Sequence, residues 1–187
     1  MMTTEHYVSP YIHTKSGRFY LDNPTFDGSS IGHALGNLCR FNGNVSRYYS
    51  VAEHSILVSS LMRRVVGGDP FEGLMHDAAE AFLSDVPTPF KRLLPDWTKF
   101  EQQVEEPLRL WARLPRHKTH ECERADKLAL FIEAYHLVPE EGRDFLDPLN
   151  VRPLALGLVA SGKWELDCWG PEQAGYQWIN QYHAIRP

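Results

Sequence analysis

The chain has 187 residues, 43% hydrophobic and 23% charged, with a formal net charge of -5. That length and balance predict one soluble globular domain with room for a substantial core. The acidic balance argues against a nucleic-acid polymer or an anionic membrane as partner, no apolar run approaches the ~20 residues of a membrane span, and three scattered cysteines read as free thiols. Met1 to Tyr7 carry neither a basic nor an apolar stretch, so no secretion signal is expected and the expected location is cytoplasmic.

Residues 1–28 are rich in turn formers and form a loop-rich lead-in, with a short hairpin around Ser16-Gly17. A helix follows, capped by Ser29 or Ser30 and broken by Phe41-Asn42-Gly43-Asn44, with Ile31, Leu35 and Leu38 at helical spacing. A second helix is expected over Ser50 to Val66, stopped by Gly67-Gly68. Asp69-Pro70 has the form of an N-cap with proline at the first helical position. The helix it starts turns Leu74, Met75, Ala78 and Phe82 inward, and Pro87 and Pro89 end it in an extended stretch. Amphipathic helices over Trp97 to Leu114 and His117 to Leu137 come next. The final third is less regular, closes in a helix from Glu172 to His183, and offers Trp and Tyr side chains for a subunit contact. The fold expected is all-α, one domain over 1–187, with a core about 29–137 and a C-terminal helical part, 138–187.

His76-Asp77 offers an imidazole nitrogen and a carboxylate oxygen to one point, which suits a divalent metal of intermediate hardness. His54 lies on the preceding helix and Asp126 on a later one, flanked by Arg124 and Lys127. A carboxylate among apolar helical positions needs a partner, because burying it alone is costly. His54, His76, Asp77 and Asp126 are therefore the expected ligands. Glu80, one helical turn after His76, emerges on the same face and is placed to handle protons. Arg40 is a candidate phosphate clamp, since its guanidinium fork matches phosphate oxygens.

On an all-α chain the order His54, His76-Asp77, Asp126 resembles the HD superfamily of metal-dependent phosphohydrolases. Arg40-Phe41, Tyr49 to Ser55, His76 to Glu80 and Asp85-Val86-Pro87-Thr88-Pro89 resemble its 5'-deoxynucleotidase branch, which also holds small phage dATP triphosphohydrolases. The likeness spans roughly residues 12–136. It implies an HD-domain helical bundle and one divalent ion (Co, Mn, Zn, Fe or Mg) on the four ligands. It also implies acid-base work by Glu80 with Asp77, and a supporting or water-positioning role for Asp85. Phe41 stands where that branch has a tryptophan beside the sugar. Pro89 is expected near the base and Lys91 near phosphate. His117 and His120 are expected on the surface, leaving the site mononuclear.

The activity this implies is hydrolysis of a deoxynucleoside monophosphate to deoxynucleoside and phosphate, by a homodimer or larger assembly. One alternative is a deoxynucleoside triphosphate triphosphohydrolase with Lys91, Arg124 and Lys127 around a longer phosphate tail. A more distant one is a non-catalytic HD module that binds nucleotide. Hydrolysis of ppGpp or cyclic dinucleotides is disfavoured, because Ala-Ala-Glu-Ala follows His76-Asp77 where those activities carry other residues.

Overall fold

Asp27, rather than Ser29 or Ser30, starts the first helix of this computed structural model, which describes residues 9–187. The Asp27 carboxylate accepts the Ser30 N–H at 2.8 Å, answering one of the amides that a helix start leaves open. Before it, β1 (Tyr11–Thr14) and β2 (Gly17–Tyr20) pair as an antiparallel hairpin, as expected around Ser16-Gly17. The secretion-signal expectation rests on Met1 to Tyr7, which lie outside the described residues. Helix α1 covers Gly28–Asn37 and ends before the expected break. The 3-10 turn Arg40–Gly43 follows, with Phe41 and Asn42 at φ of 53° and 51°.

Helix α2 covers Val51–Leu61, with Ser50 Oγ accepting the Glu53 N–H, and widens into a π turn over Met62–Val66. Gly67 and Gly68, at φ of 93° and 94°, stop it. Asp69 caps α3 (Pro70–Met75) as its sequence predicts. That helix does not run on to Pro87: a turn at residues 76–79 separates it from α4 (Glu80–Leu83), and Ser84 ends α4 at a φ of 71°. Helix α5 (Thr88–Lys91) occupies what was expected to be extended chain, since Pro89 sits in the first turn, where its missing N–H costs nothing. Helices α6 (Trp97–Trp111) and α7 (His120–Leu137) are each shorter than expected by about one turn. Helix α8 (Arg152–Ala160) was not anticipated, and α9 (Pro171–Ile185) closes the described chain.

The fold is all-α, built around α2. One face of α2 packs Val58 and Leu61 with Leu128 and Ile132 of α7 and Ala155 of α8. The other packs Val51 and Ala52 with Ile31 and Leu35 of α1, Leu74 of α3 and Trp178 of α9. A helix buried on every side has no face left for charge, yet α2 carries Glu53, His54, Ser55 and Ser59 inside. Each has a partner; Glu53, for example, accepts the backbone N–H of Cys168 and of Trp169 at 2.8 and 3.0 Å.

Two close approaches set the helix spacing. A Cβ on Gly36 would stand 2.5 Å from Pro171 O and 2.7 Å from Gly175 N, so α1 meets α9 backbone to backbone. A Cβ on Gly73 would stand 2.9 Å from Ser59 Cα, so α3 lies directly on α2. The aromatic residues expected at a subunit contact are mostly interior. Trp178 is fully buried and stacks on Tyr182 at 5.5 Å between centroids; Trp164 and Trp169 are half-buried, and Tyr176 is exposed. A large aromatic surface gains more from the core than from a charged exterior, and that outweighs the irregular local sequence. Among the described residues no helix is long and apolar enough to cross a membrane.

Candidate metal centre

Helices α2, α3 and α7 bring His54, His76 and Asp126 to one point. One donor atom of each lies within 4.8 Å of the others, so the three can hold a metal ion. His54 Nε2 is 3.2 Å from His76 Nε2 and 3.2 Å from Asp126 Oδ1. His76 Nε2 is 3.8 Å from Asp126 Oδ1. Asp77 joins from the turn after α3, its Oδ2 being 3.0 Å from His76 Nε2 and 3.6 Å from His54 Nε2. Metal–ligand bonds of ~2.0–2.2 Å at tetrahedral or octahedral angles separate neighbouring donors by about 3.0–3.5 Å. The measured separations are close to that range.

Ring protonation makes the convergence chemically pointed. His54 Nδ1 faces Glu133 Oε1 at 2.6 Å and His76 Nδ1 faces Gly73 O at 2.8 Å. Both partners are acceptors, so both Nδ1 atoms carry hydrogen and both Nε2 atoms of the neutral rings present lone pairs. Two lone pairs and two carboxylates then meet in one place, the imidazoles buried and Asp126 partly open to solvent, and that set calls for a cation. In the metal-free protein protons take that part. Burial and Arg40 work against a charged His54 ring, but Glu133 and Asp126 outweigh them and push it up to about 9. His76 is raised too, burial being outweighed chiefly by Asp77. Burial opposes ionisation of Asp126 and Asp77, yet the two imidazoles hold both carboxyls well below the usual range, with Lys118 adding to the effect on Asp77.

These carboxylates open onto a cleft of about 550 Å³. Arg40, Phe41, Glu80, Asp85, Pro89 and Lys91 all line it, at the same cavity as Asp77 and Asp126. A larger depression, about 790 Å³, lies between Lys15 and α9, away from the cluster. Glu80 is the most distinctive member of the cleft. Its Oε2 is buried with no hydrogen-bond partner among the described residues. Burial, then the charges of Asp77 and Asp85, hold its carboxyl well above the usual range. Such a group keeps its proton where an ordinary glutamate has lost it. Asp85 is raised mainly by burial, with Arg40 pulling the other way.

The structure changes the picture of three cations. Arg40 is largely buried and pairs with Glu133 at 3.1 Å, where a surface arginine would be solvated. Lys91 reaches the cleft, but its ammonium donates to Glu101 at 2.6 Å. Lys127 lines the cleft and Arg124 is not among its lining residues. Two residues escaped the sequence reading. Lys118 donates to Asp77 Oδ1 at 3.0 Å, and Glu133 supports both His54 and Arg40. Lys118 carries no signal in its own segment, but Glu133 does: it lies seven residues after Asp126, on the same face of α7. His117 and His120 are exposed, as expected.

No model of a known protein family matches the chain. It is 36% identical over 159 residues to YfdR, an uncharacterized protein of Escherichia coli strain K12, covering 79% of this chain and 88% of that protein. It is 32% identical over 145 residues to RCAP_rcc00048, an uncharacterized protein of Rhodobacter capsulatus, covering 68% of this chain and 74% of that one.

Proposed function

The chain belongs to the family of YfdR, and as that kinship names no chemistry, we propose a function from the site: a divalent-metal-dependent phosphohydrolase of the HD type acting on deoxyribonucleotides, a 5'-deoxynucleotidase. The observation that carries this reading is the convergence of His54, His76, Asp77 and Asp126, the two carboxylates lining one cleft with Arg40 and an unpartnered Glu80. The donor set fits a divalent ion of the Co, Mn, Zn, Fe or Mg series, with nitrogen ligands favouring the transition metals. When bound, such an ion supplies Lewis acidity, acidifying water and offsetting charge at phosphorus.

The chain's own residues do the rest. Arg40, held by Glu133 on one edge, offers its remaining guanidinium nitrogen to a phosphoryl oxygen. Glu80 holds a proton and delivers it to the departing 5'-oxygen as the ester P–O bond breaks and water forms the new P–O bond. Asp77, held ionised and accepting from Lys118 on Oδ1, orients the attacking water, whose proton passes to solvent as the new P–O bond forms. Asp85 lines the same cleft, where it orients water. Phe41 offers an apolar surface to the sugar, fixed at a left-handed backbone position between Arg40 and Phe145. Pro89 borders the place for the base.

One observation favours a second reading. Arg40, Lys91, Arg92, Lys118 and Lys127 all line the cleft, more cations than one phosphate needs, which supports a deoxynucleoside triphosphate releasing triphosphate. The test is incubation of the metal-loaded protein with deoxy- and ribonucleoside mono- and triphosphates, followed by product identification. Orthophosphate from a deoxynucleoside monophosphate supports the first reading, and inorganic triphosphate supports the second. No hydrolysis of any of them with Co, Mn, Zn, Fe or Mg would sink both and leave a non-catalytic nucleotide-binding module.

A further inference from the structure

We propose that Glu133 is the positioning residue of this site, one buried carboxylate that fixes a metal ligand with one oxygen and the phosphate clamp with the other. The inference rests on the metal-site reading above. Glu133 lies two turns beyond Asp126, so α7 supplies a candidate ligand and its support from a single face. The side chain is fully buried. Its Oε1 is 2.6 Å from His54 Nδ1. Its Oε2 is 3.2 Å from Arg40 Nε and 3.1 Å from Arg40 Nη2. His54 and Arg40 between them engage both oxygens.

Each contact has a directional consequence. A carboxylate on Nδ1 keeps the hydrogen there and aims the Nε2 lone pair of His54 at His76, Asp77 and Asp126. The two-nitrogen fork on Oε2 clamps Arg40 side-on, so its Nη1 is left for the cleft that Arg40 lines. A purely structural counter-charge for Arg40 would need only Oε2. Burying three ionisable groups also gives little stability over an apolar packing of the same volume, so their retention points to alignment. Metal affinity and phosphate affinity therefore share one support, although the two groups they act through are 14 residues apart on separate elements.

Glu133→Gln tests this, because the amide keeps the shape but cannot accept from both partners. Metal affinity is measured on metal-stripped protein by competition with a chromogenic chelator, using zinc and cobalt, with the visible absorption of the cobalt form as a second readout. The expected result is roughly 10- to 100-fold weaker metal binding and a shifted cobalt spectrum, at a melting temperature close to wild type. At saturating metal the same variant raises KM for the nucleotide more than it lowers kcat. Metal affinity within twofold of wild type with an unchanged cobalt spectrum overturns the proposal. If Glu133→Gln does not fold, Glu133→Asp keeps the charge and shortens the reach, and wild-type metal affinity there overturns it equally. A wild type that binds metal without hydrolysing deoxynucleotides removes the proposed function and leaves the Glu133 comparison intact. A wild type that takes up no divalent metal removes both.

Discussion

Helix α3 and the turn that follows it carry two charged clusters, at Glu72 and His76, and they differ in what they lack. Glu72 is satisfied within the chain: Oε1 accepts from Arg109 Nη2 at 2.8 Å and from Thr119 N at 3.0 Å, and Oε2 accepts from Thr119 Oγ1 at 2.6 Å. Arg109 spends further donors on the carbonyls of Pro115 and His117. That cluster ties α3 to α6 and to the start of α7 with both Glu72 oxygens engaged, although among the described residues Arg109 Nη1 has only Glu105 near it, at 3.9 Å. His76 belongs to the other cluster, where two imidazole Nε2 atoms and two carboxylates converge, with Lys118 only on the outer oxygen of Asp77. The first has its charges balanced by groups of the chain itself and serves as a staple. The second is complete only with something added, and that distinguishes a site from a support.

The sharpest way to test the contrast is to delete one member of each cluster. His76→Ala is expected to abolish metal uptake and to lower phosphohydrolase activity by at least about 10³-fold, while the protein stays folded; metal content by elemental analysis and a turnover assay read it. Arg109→Ala is expected to do the reverse. Leaving Glu72 buried without its charge partner costs about 3–5 kcal/mol in denaturant unfolding, with unchanged metal stoichiometry in the folded fraction. Wild-type stability of Arg109→Ala would erase the distinction.

Within the site, Glu80→Gln is expected to lower kcat by about 10²–10⁴-fold with metal content intact, since Glu80 is unpartnered rather than ligating. Gly73→Ala probes the link between the clusters. Its Cβ would press on the Ser59 backbone, separating α3 from α2 at a cost of about 1–3 kcal/mol and weakening metal binding, as calorimetry and chelator competition would show. The mildest effect expected is on pH. The folded His54 ring, at about 9, stands above its ordinary 6.5, so its share of stability is fully present below pH 6.5 and lost as pH rises to 9. The melting temperature of the metal-free protein should fall across that window. Added divalent metal, which takes the place of the proton, should flatten the fall.

Much of this was legible from short-range signals. Asp69-Pro70 and Gly67-Gly68 act locally, through a cap and left-handed backbone, and the structure uses each as its sequence predicts. The His76-Asp77 doublet announces its chemistry by adjacency, and His54 and Asp126 join it through their place on neighbouring expected helices and the order that resembles the HD superfamily. What stayed hidden depends on long-range partners. Lys118 meets Asp77 from 41 residues away, and Arg40 meets Glu133 from 93 away. No local pattern marks an arginine as buried, because its burial is decided by where the counter-charge arrives. The apolar run of α8 and the aromatic residues of α9 were misread for a related reason. Tertiary packing, not local regularity, assigns Leu158 and Trp178 to the interior.

The backbone contact between α1 and α9 has a consequence for how the molecule comes together during synthesis. Gly36 rests on Pro171 and Gly175, so the first helix finds its seat only after nearly all the other helices exist. Until α9 is made, Ile31 and Leu35 lack their Trp178 neighbour and that side of α2 lacks its cover. Contacts between such distant parts of a chain form late and slowly. A nascent chain could pair α2 with α3 beforehand, bringing His54 toward His76, but the half of the core that steadies α2 would still be open. Ribosome-bound chains of increasing length, probed by protease, should therefore gain resistance in one late step, when α9 emerges.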